Sequence, residues 1–276
     1  MSRVAVIGIV GNSVFLPVDH FHVGGETVEA HSAHFEPGGK GFNAAVAAKR
    51  YGVEVSFLAA VGNEGAADIE RFLKNEGIDS TLVKKNGGTA FAAIVTDKSG
   101  SNHVTVYQGA QLTSADVDGF EKQIASAEIL LLNNEVPEEV NIRATELGVK
   151  HHIPVLLNPA PARALPTYLL ENISLFTPNE HEQAGLEEKE NVVVTLGKNG
   201  CYIRTLDLVV PAINIAPVVD TTGAGDTFNG VLAATLASGV TLADAVKTAN
   251  LASSIEVTRK GAVTSIPTKE ELTKYR

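Results

Sequence analysis

The chain has 276 residues, 44% hydrophobic and 20% charged, enough to bury a sizeable core and too apolar for a disordered segment. Lysine and arginine total 22 against 32 aspartate and glutamate, a formal net charge of −10; that balance lacks the basic footprint of a nucleic-acid binder. Cys201 is the single cysteine, which excludes an internal disulfide framework and a cysteine-based zinc site.

The chain opens with Met1-Ser2-Arg3 and the apolar run Val4–Val10. This start lacks a secretory pattern, and no apolar run approaches a membrane span, so a cytoplasmic protein without a membrane partner is expected. Val4–Val10 reads as a strand, and from about Asn12 to Phe35 no helical periodicity follows. Gly38-Gly39-Lys40-Gly41-Phe42-Asn43 leads into a helical stretch, Asn43–Tyr51, and Val55–Val61 with Gly65–Glu76 repeats the strand and helix. Thr89–Gln108 breaks the rhythm: Thr89–Thr96, a turn at Asp97-Lys98-Ser99-Gly100, and Asn102–Tyr107 predict a hairpin. Beyond it, Ser114–Ala127 and Pro137–His151 carry apolar residues at helical spacing. They alternate with the strand-like Ile129–Leu132, Pro154–Leu157, Ile173–Phe176 and Val192–Leu196.

Short apolar strands separated by helices imply right-handed crossovers, hence a mainly parallel sheet covered on both faces. The two β excursions, about residues 12–35 and 88–108, predict a small sheet over the C-terminal edge of the main one, where open α/β sheets bind ligands. The expectation is one α/β domain over residues 1–276 carrying a β lid.

The strongest chemical signal is Asp220-Thr221-Thr222-Gly223-Ala224-Gly225-Asp226-Thr227-Phe228. Phe228, Val231, Leu232, Thr235 and Leu236 mark one face of a helix entered through small residues. Unpaired N–H groups and the dipole at such a helix start suit an anion, and small residues let a phosphate approach. Asp226 repels that phosphate unless it takes a proton from an attacking hydroxyl; the other reading is that it caps the helix. No Gly-Lys-Ser/Thr closes the segment, so it is not a Walker A loop. In the second glycine-rich segment, Lys40 and Asn43 add donors suited to hydroxyls, but a tight strand-to-helix turn explains its glycines equally well.

Together the two segments resemble the signatures of the ribokinase-like (PfkB) carbohydrate kinase family, above all its ribokinase branch. Further ordered likenesses are Gly24-Gly25-Glu26-Thr27-Val28, Asn158-Pro159-Ala160-Pro161-Ala162-Arg163, Thr177-Pro178-Asn179-Glu180, Thr195-Leu196-Gly197 and Val257-Thr258-Arg259-Lys260-Gly261-Ala262. The resemblance implies a ribokinase-like three-layer α/β/α sandwich with a mainly parallel central sheet and a small β lid. It implies in-line transfer of the ATP γ-phosphoryl group to a hydroxyl of a small carbohydrate, with Asp226 as base and Gly223, Ala224 and Gly225 as anion hole. Asn12, Ser13, Gly39, Lys40, Asn43 and Glu135 then correspond to acceptor-binding positions. Asn179, Thr195, Gly197, Gly200 and Asn250 correspond to nucleotide positions. Glu182 pairs with Asn179 in an element associated with magnesium, through water. A monovalent-cation loop, with potassium expected, corresponds to the Asp220 side chain, the Thr222, Glu256, Arg259 and Gly261 carbonyls, and Ser265. Two alternatives are a nucleoside kinase of the same fold and a non-catalytic sugar- or nucleotide-sensing protein; a retained Asp226 argues against the latter.

Two departures stand out. The family commonly places an Asn-x-Asp near the end of the first strand, and Gly11-Asn12-Ser13 stands there, followed by Val14, Phe15 and Leu16. Ser13 lacks the two acceptor oxygens that a carboxylate offers a diol, so a less hydroxylated sugar, or one with an apolar or heterocyclic substituent, is expected. A one-to-three-residue shift of register brings in Asp19 instead. Secondly, only Glu187–Asn191 fills the connection before Val192 where the family has a helix, which exposes an apolar patch suited to assembly unless neighbouring helices move in. The eight histidines form no zinc spacing; the His151-His152 pair suits a helix C-terminus, and His181 alone is placed near the site. Cys201 reads as core. Exposed lid edges suit pairing with a second copy, giving a homodimer.

Overall fold

The computed structural model describes residues 2–98 and 101–275. Arg3–Ile7 (β1) is followed by Gly11–Pro17 (β2), His34–Gly38 (β3), Lys40–Tyr51 (α1), Glu54–Val61 (β4), Ala67–Glu76 (α2) and Asp79–Lys84 (β5). The hairpin Ala90–Thr96 (β6) and Asn102–Tyr107 (β7) comes next; Ser99 and Gly100 of its predicted turn lie outside the described residues. Ser114–Asp118 (α3) and Glu121–Ala125 (α4) lead to Ile129–Asn133 (β8), Glu138–Lys150 (α5), Val155–Asn158 (β9), Thr167–Asn172 (α6) and Leu175–Phe176 (β10). The last part holds Val193–Thr195 (β11), Cys201–Ile203 (β12), Leu208–Val210 (β13), Ala224–Ala237 (α7), Leu242–Glu256 (α8) and Lys269–Thr273 (α9).

The main sheet has the order β10-β9-β8-β1-β4-β5, and all its pairings are parallel. Side chains alternate across a strand, so β1 feeds two cores. Val4 and Val6 pack with residues of α1, α2, α7 and α8, such as Val46, Ile69, Val231 and Val246. Ala5 and Ile7 pack with Ile124, Val140, Leu147 and Leu169 on the other face. A parallel sheet is buried on both faces in this way, giving the expected three layers. Helices α1 and α7 approach closely because both carry small residues: a Cβ on Gly230 would lie 2.2 Å from the Ala44 carbonyl oxygen.

The chain places β4 and β5 on one side of β1 and β8, β9 and β10 on the other. The order therefore reverses between β1 and β8, and the crevice beyond their carboxyl ends is where such sheets bind ligands. The second sheet, β3-β2-β6-β7, forms the expected lid. Its central pair, β2 with β6, is parallel and the outer pairs are antiparallel, since both excursions leave the same edge of a parallel sheet.

Three local expectations change. The stretch Ser114–Ala127 is two short helices, with Phe120 buried between them. The run Val192–Leu196 meets the main sheet only through isolated bridges, Phe176 with Val192 and Asn179 with Thr195, and its strand β11 opens a separate antiparallel sheet, β11-β12-β13. The shortened connection exposes no large apolar side chain among the described residues. The Arg204 guanidinium donates to the carbonyls of Leu186, Glu187 and Lys189, the last at 2.6 Å, and Leu186 is fully buried beneath the turn. One group of exposed apolar side chains lies on the lid, at Phe35, Phe91, Val104, Val106 and Tyr107.

Candidate active site

Helix α7 begins at Gly223, which adopts a left-handed conformation with φ 88°. A Cβ there would stand 2.7 Å from the Glu256 carboxylate, so only glycine fits. The helix's first-turn N–H groups lack intrahelical acceptors, and a cavity opens on either side of them.

The first cavity, of about 320 Å³, lies between lid and sheet and is lined by Thr222, Gly223 and Asp226 from this turn. Asp226 is 7% exposed. Its Oδ2 accepts from Asn43 Nδ2 at 2.8 Å, and its Oδ1 lies 3.8 Å from Lys40 Nζ. Lys40 and Asn43 come from the first turn of α1, whose N-cap Gly39 has φ 116° and would bring a Cβ 2.7 Å from the Ile9 carbonyl oxygen. The Glu135 Oε2 accepts the Lys40 N–H at 2.7 Å, so a carboxylate closes the helix start where the dipole favours it. The Glu135 backbone N–H donates to Asn133 Oδ1 at 3.0 Å, fixing the loop after β8.

Charge sharpens this cluster. Withdrawal from water pushes the Glu135 carboxyl up to about 7, with Asp226 adding to the rise and Lys40 opposing it. The Asp226 carboxylate raises the Lys40 ammonium above its ordinary value against the cost of burial, with Glu135 and Glu182 adding to it. Lys40 is therefore held as a cation beside the carboxylate best placed to take a proton.

The lid supplies the roof. Ser13 and Phe15 of β2, Ala92 and Ile94 of β6, and Val104 and Val106 of β7 all line this cavity. Asn12 also borders it, but its Nδ2 donates to the Gly65 carbonyl at 2.8 Å and ties the lid to the loop before α2. Asp19 lies outside the cavity and pairs with His31 at 2.7 Å and Lys98 at 2.8 Å, so no register shift brings it in.

The second cavity, of about 860 Å³, is bordered by Thr221, Ala224, Gly225 and Phe228 of the same turn. It gathers Asn179, Thr195, Gly197, Gly200 and Asn250 together with His181. Gly200 has φ 91°, and a Cβ there would meet the Val210 carbonyl oxygen at 2.0 Å. Asn250 Nδ2 donates to the Pro211 carbonyl at 2.7 Å. An apolar wall of Ile213, Ile215, Ala216 and Val218 completes it. Cys201 borders this cavity from the core, and burial pushes its thiol up to about 12, which removes it as a nucleophile.

The residues matched to a cation loop also converge. Asp220 accepts the Thr222 and Gly261 N–H groups at 2.9 and 3.1 Å, and the Ser265 hydroxyl lies 3.3 Å from Glu256 Oε1. The Glu256 Oε2 is buried without a hydrogen-bond partner among the described residues, and burial holds this carboxyl well above its usual range. The Asp220 carboxylate, the Ser265 hydroxyl and the neighbouring carbonyls form an all-oxygen donor set, which fits a hard monovalent cation. Arg259 turns its guanidinium to Glu271 at 2.6 Å. Glu182 Oε2 accepts the Asn179 N–H at 3.0 Å, and its carboxylate chemistry fits magnesium.

The sequence reading missed Glu36, Ser253 and the wall from Ala212 to Val218. Glu36 is 5% exposed and lines the first cavity. Ser253 borders the second and donates to the Ala224 carbonyl at 2.8 Å. The one available signal was an acid directly ahead of Pro37-Gly38-Gly39, and a lone acid on a strand is too common to point anywhere.

Comparison with known proteins gives the family and the fold. The profile of the pfkB family carbohydrate kinases matches residues 1–269. The chain is 33% identical over 293 residues to the ribokinase of Bacillus subtilis, covering 99% of this chain and 98% of that protein. It is 34% identical over 301 residues to a bifunctional ribokinase/ribose-5-phosphate isomerase A of Fructilactobacillus sanfranciscensis, covering 99% of this chain and 56% of that longer relative. The structure of Arabidopsis thaliana ribokinase complexed with ribose and ATP superposes with a TM-score of 0.85 at 26% identity, covering 99% of this chain and 98% of that one.

Proposed function

The chain belongs to the pfkB family of carbohydrate kinases, and from that premise we propose how its own residues carry the reaction. It is an ATP-dependent phosphotransferase acting on a hydroxyl of a small carbohydrate. The observation that carries the assignment of roles is the start of α7, whose first turn borders both cavities while Asp226 faces the smaller one. ATP occupies the larger cavity, its base against the wall of Ile213, Ile215 and Val218 and its terminal phosphate at the N–H groups of Gly223–Gly225.

The acceptor hydroxyl lies beside Asp226. As its oxygen bonds to the γ-phosphorus, the bond from that phosphorus to the bridging β–γ oxygen breaks and ADP leaves. Asp226 takes the hydroxyl proton. Asn43 and Lys40 hold the carboxylate in place, and the backbone donors offset charge on the transferring group. Glu182 would hold magnesium, which would neutralise charge on the phosphates, and the Asp220 side chain, Ser265 and the Thr222, Glu256, Arg259 and Gly261 carbonyls would hold a potassium ion, which would order the turn beside Gly223. Closing the lid buries Val104 and Val106, half-exposed over the cavity, and excludes water.

The same lid supplies the surface for a homodimer. Strand β7 is an edge strand with Val104, Val106 and Tyr107 exposed, and edges of this kind pair. No helix among the described residues is long and apolar enough to cross a membrane.

The test is ATP turnover over a panel of sugars and nucleosides by the wild type and Asp226→Asn. A fall in kcat of roughly 10²–10⁴ with ATP binding retained is the expected outcome. Equal turnover removes Asp226 as the base, and turnover of nucleosides alone moves the acceptor class.

A further inference from the structure

The antiparallel pairing of β2 and β3 sets Glu36 directly opposite Ser13. Opposed residues send their side chains to the same face of a sheet, and both line the acceptor cavity. Glu36 is nearly inaccessible to water, yet among the described residues no lysine or arginine pairs with it. Its Oε1 accepts the Ala262 N–H at 2.8 Å, and its Oε2 accepts the Thr264 hydroxyl at 3.1 Å. The half-exposed His34 imidazole stands 3.6 Å away. A carboxylate has about four lone-pair sites, so two neutral donors leave acceptor capacity toward the cavity. Burying a carboxylate with no lysine or arginine partner and only a half-exposed imidazole nearby is costly. The rest of this wall is Ser13, Asn12 with its amide nitrogen engaged by the Gly65 carbonyl, and small or apolar side chains, none of which offers a carboxylate's pair of oxygens.

We infer that Glu36 is the acceptor-recognising carboxylate of this pocket, gripping hydroxyls of the substrate from across the ladder from Ser13. The inference rests on the kinase reading above and narrows its substrate. Among its described lining residues the cavity then sets Glu36 and Asp226, joined by Glu135 once its proton leaves near pH 7, against the single cation Lys40, a field that favours an uncharged polyol and opposes a sugar phosphate.

Steady-state phosphorylation separates the possibilities, using free pentoses, deoxypentoses and hexoses and their monophosphates. The enzymes are the wild type, Glu36→Gln, Ser13→Asp/Glu36→Gln and Thr264→Val. The expected result is turnover of free sugars only, an acceptor KM at least tenfold higher in Glu36→Gln with the ATP KM within twofold, and partial recovery in the double variant. Thr264→Val removes one anchor of the carboxylate but not the carboxylate, and keeps most of the acceptor affinity. Should the amide fail to fold, Glu36→Asp keeps the charge while shortening its reach, and the same split between the two KM values is read. An unchanged acceptor KM, a loss reproduced in full by Thr264→Val, or a preference for sugar phosphates overturns the role of Glu36 while leaving the kinase intact. A wild type that phosphorylates no acceptor overturns both.

Discussion

On one side of Gly223 the acceptor cavity holds Glu36, Glu135, Asp226 and Lys40 in a volume of about 320 Å³. On the other, a cleft of about 860 Å³ presents Ile213, Ile215, Val218 and Phe228, with the polar atoms of Asn179 and Asn250 at its edges. The small cavity concentrates charged side chains, which suits the proposed chemistry and discrimination, since low dielectric makes each charge count. The large one offers apolar area, and under the proposed reading it leaves the phosphates to backbone donors, a solution suited to an acidic chain. One helix start serves both, so a change at the shared turn should harm both, and a change within one cleft should spare the other.

The largest effect is expected at the turn itself. Gly223→Ala forces a Cβ against Glu256 at a φ of 88°, so kcat should fall by roughly 10²–10³, the scale of losing one oxyanion donor. The melting temperature should drop with it. Steady-state rates and thermal denaturation check this, and a fully active, equally stable variant would break the claim that the two clefts share one turn.

A smaller and more selective effect is expected at Glu135. Because its native carboxyl holds a proton up to about pH 7 and an ordinary glutamate only to about 4.5, its contribution to stability is complete below 4.5. That contribution is lost as pH rises through 7. Glu135→Gln should therefore melt at a higher temperature than the wild type at pH 8, yet lose acceptor affinity. In the wild type the acceptor KM should rise as pH falls below 7, with the ATP KM flat. A matching pH dependence of the ATP KM would contradict the division of labour.

The smallest effect is expected on the apolar side. Ile213 is 41% exposed, so Ile213→Ala removes only part of a side chain's burial under bound nucleotide. That is about 1 kcal/mol, or roughly a fivefold rise in ATP KM, with acceptor KM and kcat unchanged. Titration of both substrates reads it directly.

The chain made some of this legible before any coordinates. Strand β1 announced itself because Val4–Ile7 is buried on both faces, and a parallel strand then reads as an unbroken apolar run. Asp226 and Gly223 were visible because an anion site at a helix start needs small residues in consecutive order. The role of Glu36 was not, since its meaning comes from Ser13 across the ladder and from the Ala262 N–H, 226 residues away in sequence. The fate of the shortened connection was equally hidden. Nothing in Glu187–Asn191 indicates that Arg204 will satisfy its carbonyls, because that contact depends on where β12 ends.

Local sequence thus determined the alternation of strands and helices, the two glycine-rich turns and the placing of Asp226 beside one of them, all properties that depend on residues within a few positions of one another. Tertiary structure alone decided which turn faces which cavity, that Asp19 stands outside while Glu36 stands within, and that the lid leaves Phe35, Val104 and Val106 exposed. Those outcomes follow from the reversal of strand order at β1 and β8, which brings distant loops together beyond one sheet edge, and no window along the chain records that closure.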